Sequence, residues 1–154
     1  MTVGRWVPPV SLVLAAFGIA VSTYLTIAHL TTPKVLACSA SGTINCEKVT
    51  TSAQSTFVGM PVAVLGVGWF VTMAVLCLPA AWRSSSPLWH ASRLAAAVAG
   101  IAFTLWLVYA ELLIIGAICL WCTVAHLLAF GLFVVAVVTA PAMIPARRRR
   151  DGLS

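Results

Sequence analysis

Four cysteines in two pairs carry the chemistry this sequence offers. Cys38 and Cys46 are spaced as C-x7-C, and Cys119 and Cys122 form Cys-Leu-Trp-Cys. A thiolate attacks a disulfide through a mixed intermediate and passes two electrons on, so two pairs on one face can act in series. The Cys-x-x-Cys opens an apolar run. At such a helix start the unpaired N–H groups and the dipole favour a thiolate on the leading member, Cys119. Cys122 and His126 follow Cys119 at i+3 and i+7 and share its helix face. At 1.5 Å per residue, His126 lies about 6 Å beyond Cys122. An ionisable residue inside an apolar run is a functional candidate, and Glu111, near the same face on the preceding run, is another, as a carrier of protons.

Blander readings stand beside these. The four cysteines would also serve as two static disulfides, although staples matter most where cores are small. Four thiolates also suit zinc, but C-x7-C departs from the usual C-x2–4-C spacing, and no metal is expected. His126 and Glu111 could each be satisfied by a neighbouring helix. Cys77 reads as a buried apolar filler, and His29 and Glu47 as solvated groups near the surface.

The elements that position these residues follow from composition. The chain has 154 residues, 62% hydrophobic and 8% charged, with a mean hydropathy of +1.07. Ordinary soluble domains carry about 25% charge, so that class is excluded, as is disorder. A membrane span takes about 20 apolar residues, which leaves room for four. Apolar runs cover residues 10–30, 59–79, 94–116 and 119–140. The first is too long for a signal-peptide core. Pro61 suits the first turn of the second helix, and Gly66 and Gly68 leave a surface for close helix approach. Residues 31–58 form the one long loop, residues 80–93 a turn, and residues 145–154 a basic, solvated tail. The fold expected over residues 1–154 is a single all-α domain, a polytopic membrane four-helix bundle.

Four spans put both termini and the 80–93 turn on one side. Seven of the nine basic residues (Arg5, Arg83, Arg93 and Arg147 to Arg150) then share that side, against Lys34 and Lys48 opposite. The positive-inside rule makes it the cytoplasm. The basic excess therefore reports orientation, and no nucleic-acid partner is expected. The 31–58 loop and the start of the fourth span face outward. Four of the five cysteines meet there, in the compartment where disulfides persist.

Taken together, Cys38-x7-Cys46, Gly59-Met-Pro61-x4-Gly66 and Cys119-Leu-Trp-Cys122 resemble the vitamin K epoxide reductase family, in particular its bacterial members, over nearly the whole chain. The resemblance implies four helices around a quinone, menaquinone or ubiquinone. Electrons would enter by exchange between Cys38 or Cys46 and a DsbA-like thioredoxin-fold partner, pass from Cys46 to Cys119, and reach the quinone from Cys122. It places Ser52 in a short helix covering the pocket and His126 where the animal enzymes carry a tyrosine. Ser55, Phe57 and Glu111 complete the expected quinone-site residues. Thr50 stands where the animal enzymes have an aromatic residue, and Ser55 near their pocket asparagine. With His126, these departures weigh against epoxide reduction and leave simple quinone reduction intact. The DsbB-type oxidases use two cysteine pairs in the reverse order, which marks convergence. The chain stops at Ser154, so a separate partner protein is expected.

The resulting expectation is a multi-pass enzyme of the inner (plasma) membrane with an external active face, which reoxidises a thioredoxin-fold protein and reduces a quinone. The rivals are a vitamin K epoxide or quinone reductase on the same cysteines, and a non-catalytic bundle with structural or metal-binding cysteines.

Overall fold

The computed structural model of the protein describes residues 4–31, 38, 43–84 and 86–143. In chain order it comprises helix α1 (Val7–Leu30), a short helix α2 (Cys46–Thr50), a 3-10 turn (Ala53–Ser55), strands β1 (Thr56–Phe57) and β2 (Met60–Pro61), helix α3 (Val62–Leu76), a short helix α4 (Pro79–Arg83), helix α5 (Pro87–Tyr109), a π-helical segment (Ala110–Ile115) and helix α6 (Leu120–Met143). The basic tail expected at 145–154 lies outside the described residues, as does Lys34.

Three helices are long and apolar enough to cross a membrane: α1, α5 with its π segment, and α6. The fourth apolar run is shorter as a helix than as a sequence. At 15 residues, α3 rises only about 22 Å, against a hydrocarbon core of about 30 Å. Pro61 is the reason at one end. It pairs with Thr56 in a two-stranded hairpin instead of entering the first helical turn, and its ψ of 130° keeps the chain extended. Val58 and Gly59, at φ 52° and 80°, make the two-residue turn, since a hairpin this tight wants positive φ at both central positions. At the other end α3 stops at Leu76. The expected 80–93 turn is mostly helical, because Pro79 and Pro87 each occupy a first-turn position where the missing N–H costs nothing.

The four long helices form a bundle. Helix α1 packs closely on α3 and α6, and α6 on α5, while α3 and α5 are the most loosely joined neighbours. Gly18 and Gly100 make room for aromatic rings: a methyl group at Gly18 would overlap Phe70, and one at Gly100 would overlap Trp69. Gly66 allows the close approach expected of it, since a methyl group there would stand 3.1 Å from Ser22 Oγ, whereas Gly68 faces open space. One buried cluster, including Val7, Phe70, Met73, Leu76, Trp82 and Leu132, fills the middle and one end of the bundle. A second, of Leu25, Ala28, Cys46, Val49, Ala117 and Cys119, closes the other end. Outward-facing Phe17, Leu105, Leu113, Leu127 and Val138 are each more than half exposed. An apolar belt of that extent is stable only against lipid, so the chain is a helical membrane protein.

Candidate active site

Cys46 is the first residue of α2, whose start is capped by Asn45: its side-chain oxygen accepts the Lys48 N–H at 2.9 Å. Cys119 caps α6 in the same manner. Its carbonyl accepts the Thr123 N–H at 2.9 Å, and its Sγ accepts the Cys122 N–H at 3.2 Å. The expected helix start is thus one residue later, at Leu120, which leaves Cys119 as the cap. That position matters, because an N–H aimed at sulfur favours thiolate over thiol.

What brings the two pairs together is a single backbone bridge. Ile44 and Ile118 run side by side in parallel; Ile118 N–H donates to the Thr43 carbonyl at 2.9 Å, and Asn45 N–H to the Ile118 carbonyl at 3.0 Å. Cys46 lies two residues beyond Ile44, and Cys119 one beyond Ile118. Both are pulled into the same buried cluster, at 2% and 0% exposure. Cys38 is joined to Cys46 by a disulfide and packs at the edge of that cluster, half-buried. Cys119 and Cys122 are free thiols. Trp121, between them, stands edge-on to Tyr24 of α1 at 4.9 Å and anchors the motif to the bundle.

The chain arrives at Cys119 through an unusual turn. The π segment leaves the Glu111 carbonyl to accept from Gly116 and, at 3.1 Å, from Ala117. Gly116 ends it at φ 64°, a conformation that glycine adopts without strain. This widened turn carries Glu111 inward to 6% exposure, and its carboxyl lies against the Cys119 amide and the Cys122 thiol. Wide helical turns of this kind concentrate at functional sites.

A cavity of about 410 Å³ opens beside Cys122. All five residues expected to hold a quinone line it: Ser52, Ser55, Phe57, Glu111 and His126. They contribute differently. Ser52 Oγ donates to the Val49 carbonyl and Ser55 Oγ to the Ser52 carbonyl, each at 2.7 Å. Their protons thus close the local turn and leave only lone pairs for the cavity. Phe57, on the hairpin, stands edge-on to Phe103 of α5 at 5.8 Å and covers one wall. His126 is half-buried and projects from α6 two turns below the start of the helix.

Further polar residues line the cavity without having been expected there, among them Gln54, Thr50 and His29. His29 was read as a solvated surface group. Instead it sits in the last turn of α1 with Nδ1 2.9 Å from the Thr50 carbonyl. The polarity of its neighbours in sequence hides this, because the Thr50 carbonyl that meets it is 21 residues away along the chain. Glu47 is exposed, in keeping with a solvated role. Cys77 is buried at 1% exposure in the cluster at the far end of the bundle, as expected of a filler, but its thiol also lies against Ser11 and Arg93. Arg93, expected in a solvated turn, is itself buried at 2%. Its Nε and Nη2 donate to the Leu76 carbonyl at 2.9 and 2.6 Å, and its guanidinium lies 3.5 Å over Trp82.

The fold and site define a class, an integral membrane helical bundle with two cysteine pairs, one joined as a disulfide and one as free thiols, beside an apolar cavity. Residues 9–137 match the model of the vitamin K epoxide reductase family, and the chain belongs to that family. It is accordingly an oxidoreductase of a quinone-linked thiol family.

Proposed function

We propose that the protein reoxidises a DsbA-like thioredoxin-fold protein outside the cytoplasm and delivers the electrons to a membrane quinone, menaquinone or ubiquinone. The observation that carries this reading is the Ile44–Ile118 bridge, which seats the loop disulfide beside Cys119 while Cys122 lines the cavity. In this orientation both termini lie in the cytoplasm of an inner-membrane protein, and the cysteine end of the bundle faces outward.

The accessibility of the sulfurs sets the order of steps. Cys38 is the more exposed half of the loop disulfide, so a partner thiolate attacks Cys38 Sγ and releases Cys46 as thiolate. The second partner thiol then resolves the mixed disulfide, leaving an oxidised partner and a reduced loop pair. Cys46 next attacks Cys119 Sγ of the oxidised helix pair, and Cys122 leaves. Cys38 attacks Cys46, which restores the loop disulfide and frees the Cys119 and Cys122 thiols. A bound quinone supplies a two-electron, two-proton acceptor. The apolar cavity of about 410 Å³ suits its ring, with Ser52, Ser55, Phe57, Glu111 and His126 as its walls. Glu111, against both the Cys119 amide and the Cys122 thiol, is placed to take the thiol proton.

The test is a trap. A Cys46→Ala variant leaves Cys38 without its resolving neighbour, and it is expected to accumulate a mixed disulfide between Cys38 and a thioredoxin-fold partner. Failure to capture such an adduct under oxidising conditions contradicts the relay.

A further inference from the structure

The cavity has two imidazoles, and only one of them belongs to the cysteine helix. His29 comes from α1, and one of its nitrogens is already assigned by its neighbour. The Thr50 carbonyl, 2.9 Å from Nδ1, can only accept, so Nδ1 carries a proton. Nε2 is then the variable atom, and it has no hydrogen-bond partner among the described residues. The carbonyl that orients the ring is itself held in place. Thr50 Oγ1 donates to the Cys46 carbonyl at 2.8 Å, which ties His29 to the helix that opens with Cys46. Within the bundle, His29 sits at the loop end of the cavity, one residue from the end of α1. His126 sits about 9 Å down α6 from Leu120.

We propose that His29 is a catalytic residue that hydrogen-bonds, through Nε2, the substrate oxygen at the loop end of the cavity and transfers a proton to it. The inference rests on the quinone-reducing reading above and narrows the substrate to a ring with a reducible oxygen at that end, as in a para-quinone. The Cys119 and Cys122 thiols close to a disulfide and give two electrons and two protons, leaving a hydroquinone. His29 passes one proton from Nε2 to the ring oxygen as negative charge builds there, and keeps Nδ1–H on Thr50. Of the two thiol protons, one goes to the second ring oxygen and the other returns to Nε2. A dithiol and a quinone thus become a disulfide and a hydroquinone, and His29, protonated on both nitrogens before the step, ends as it began.

The test uses the purified full chain, reduced at Cys119 and Cys122 and mixed anaerobically with menadione, a short para-quinone. A glutamine still reaches the oxygen but cannot pass a proton. His29→Gln is therefore expected to lower kcat for hydroquinone formation about 100-fold, within the usual range for general acid catalysis, with KM changed by no more than about 3-fold. His29→Phe loses both, so KM rises as well. Rates within twofold of wild type for both variants overturn the assignment. A wild-type protein that forms no hydroquinone overturns the quinone-reducing reading and this one with it. If either variant misfolds, 15N spectra of imidazole-labelled wild-type protein decide: His29 is expected to keep its Nδ1–H and to show a protonated Nε2 signal that menadione shifts. An Nε2 signal unmoved at saturating menadione overturns the proposal.

Discussion

The two ends of this bundle bury similar groups and use them in opposite ways. At the loop end, Cys122, Glu111, His29 and His126 line a cavity beside the buried Cys119, and His29 turns Nε2 toward it without a protein partner among the described residues. At the far end, Cys77, Arg93 and Trp82 are buried as deeply, yet the arginine is locked. Its Nε and Nη2 satisfy the last carbonyl of α3, where a helix leaves acceptors without an intrahelical donor, and its face stacks on Trp82. Burial alone therefore does not separate function from structure here. The distinction lies in what the buried groups face: a cavity at the loop end, and packed side chains at the far end, where the Trp82 Nε1 is buried without a hydrogen-bond partner.

That contrast breaks cleanly under substitution. Cys119→Ser is expected to lower quinone reduction at least about 10³-fold, as for loss of a nucleophile acting within a unit. Its thermal unfolding in detergent should stay close to wild type, because a hydroxyl still caps α6. A large drop in melting temperature with residual turnover would turn the relay into a structural staple. Arg93→Ala should behave in the opposite sense. Stripping the cap from α3 and the cation from Trp82 costs about 2–4 kcal/mol of stability, while turnover of the folded fraction is unchanged. A turnover defect in folded protein would mean the two ends are coupled. The smallest effect belongs to Cys77→Ala, a sulfur removed from a buried site against Arg93 and Ser11, at about 1 kcal/mol. Thiol titration of the unfolded chain should fall by one group, and turnover should not change.

The difference between the ends also explains what could be read from the residues in order. Four apolar runs and the two cysteine pairs are patterns of local composition, so the bundle and the placing of both pairs at one face follow from them, while the approach of Cys46 to Cys119 comes from the family resemblance. Ser52, Ser55, Phe57, Glu111 and His126, expected from the resemblance as quinone-site residues, line one cavity. Other features depend on bonds between segments far apart in the chain. His29 and Thr50 are 21 residues apart, and Arg93 and Leu76 are 17 apart; no periodicity announces either contact. Pro61 misleads for a related reason. Its ring fits a first helical turn, but pairing with Thr56 holds it in the hairpin and shortens α3. The backbone bridge at Ile44 and Ile118 is likewise invisible in sequence, being a contact of main chain alone.

The measurement closest to the centre of this account is anaerobic mixing of the purified protein with a reduced thioredoxin-fold partner and either menaquinone or ubiquinone. Quinol should form in step with partner disulfide, one for one, and neither should appear when Cys46 or Cys122 is replaced. If the partner stays reduced and no quinol forms with either quinone, the cysteine relay does not serve a quinone and the account fails.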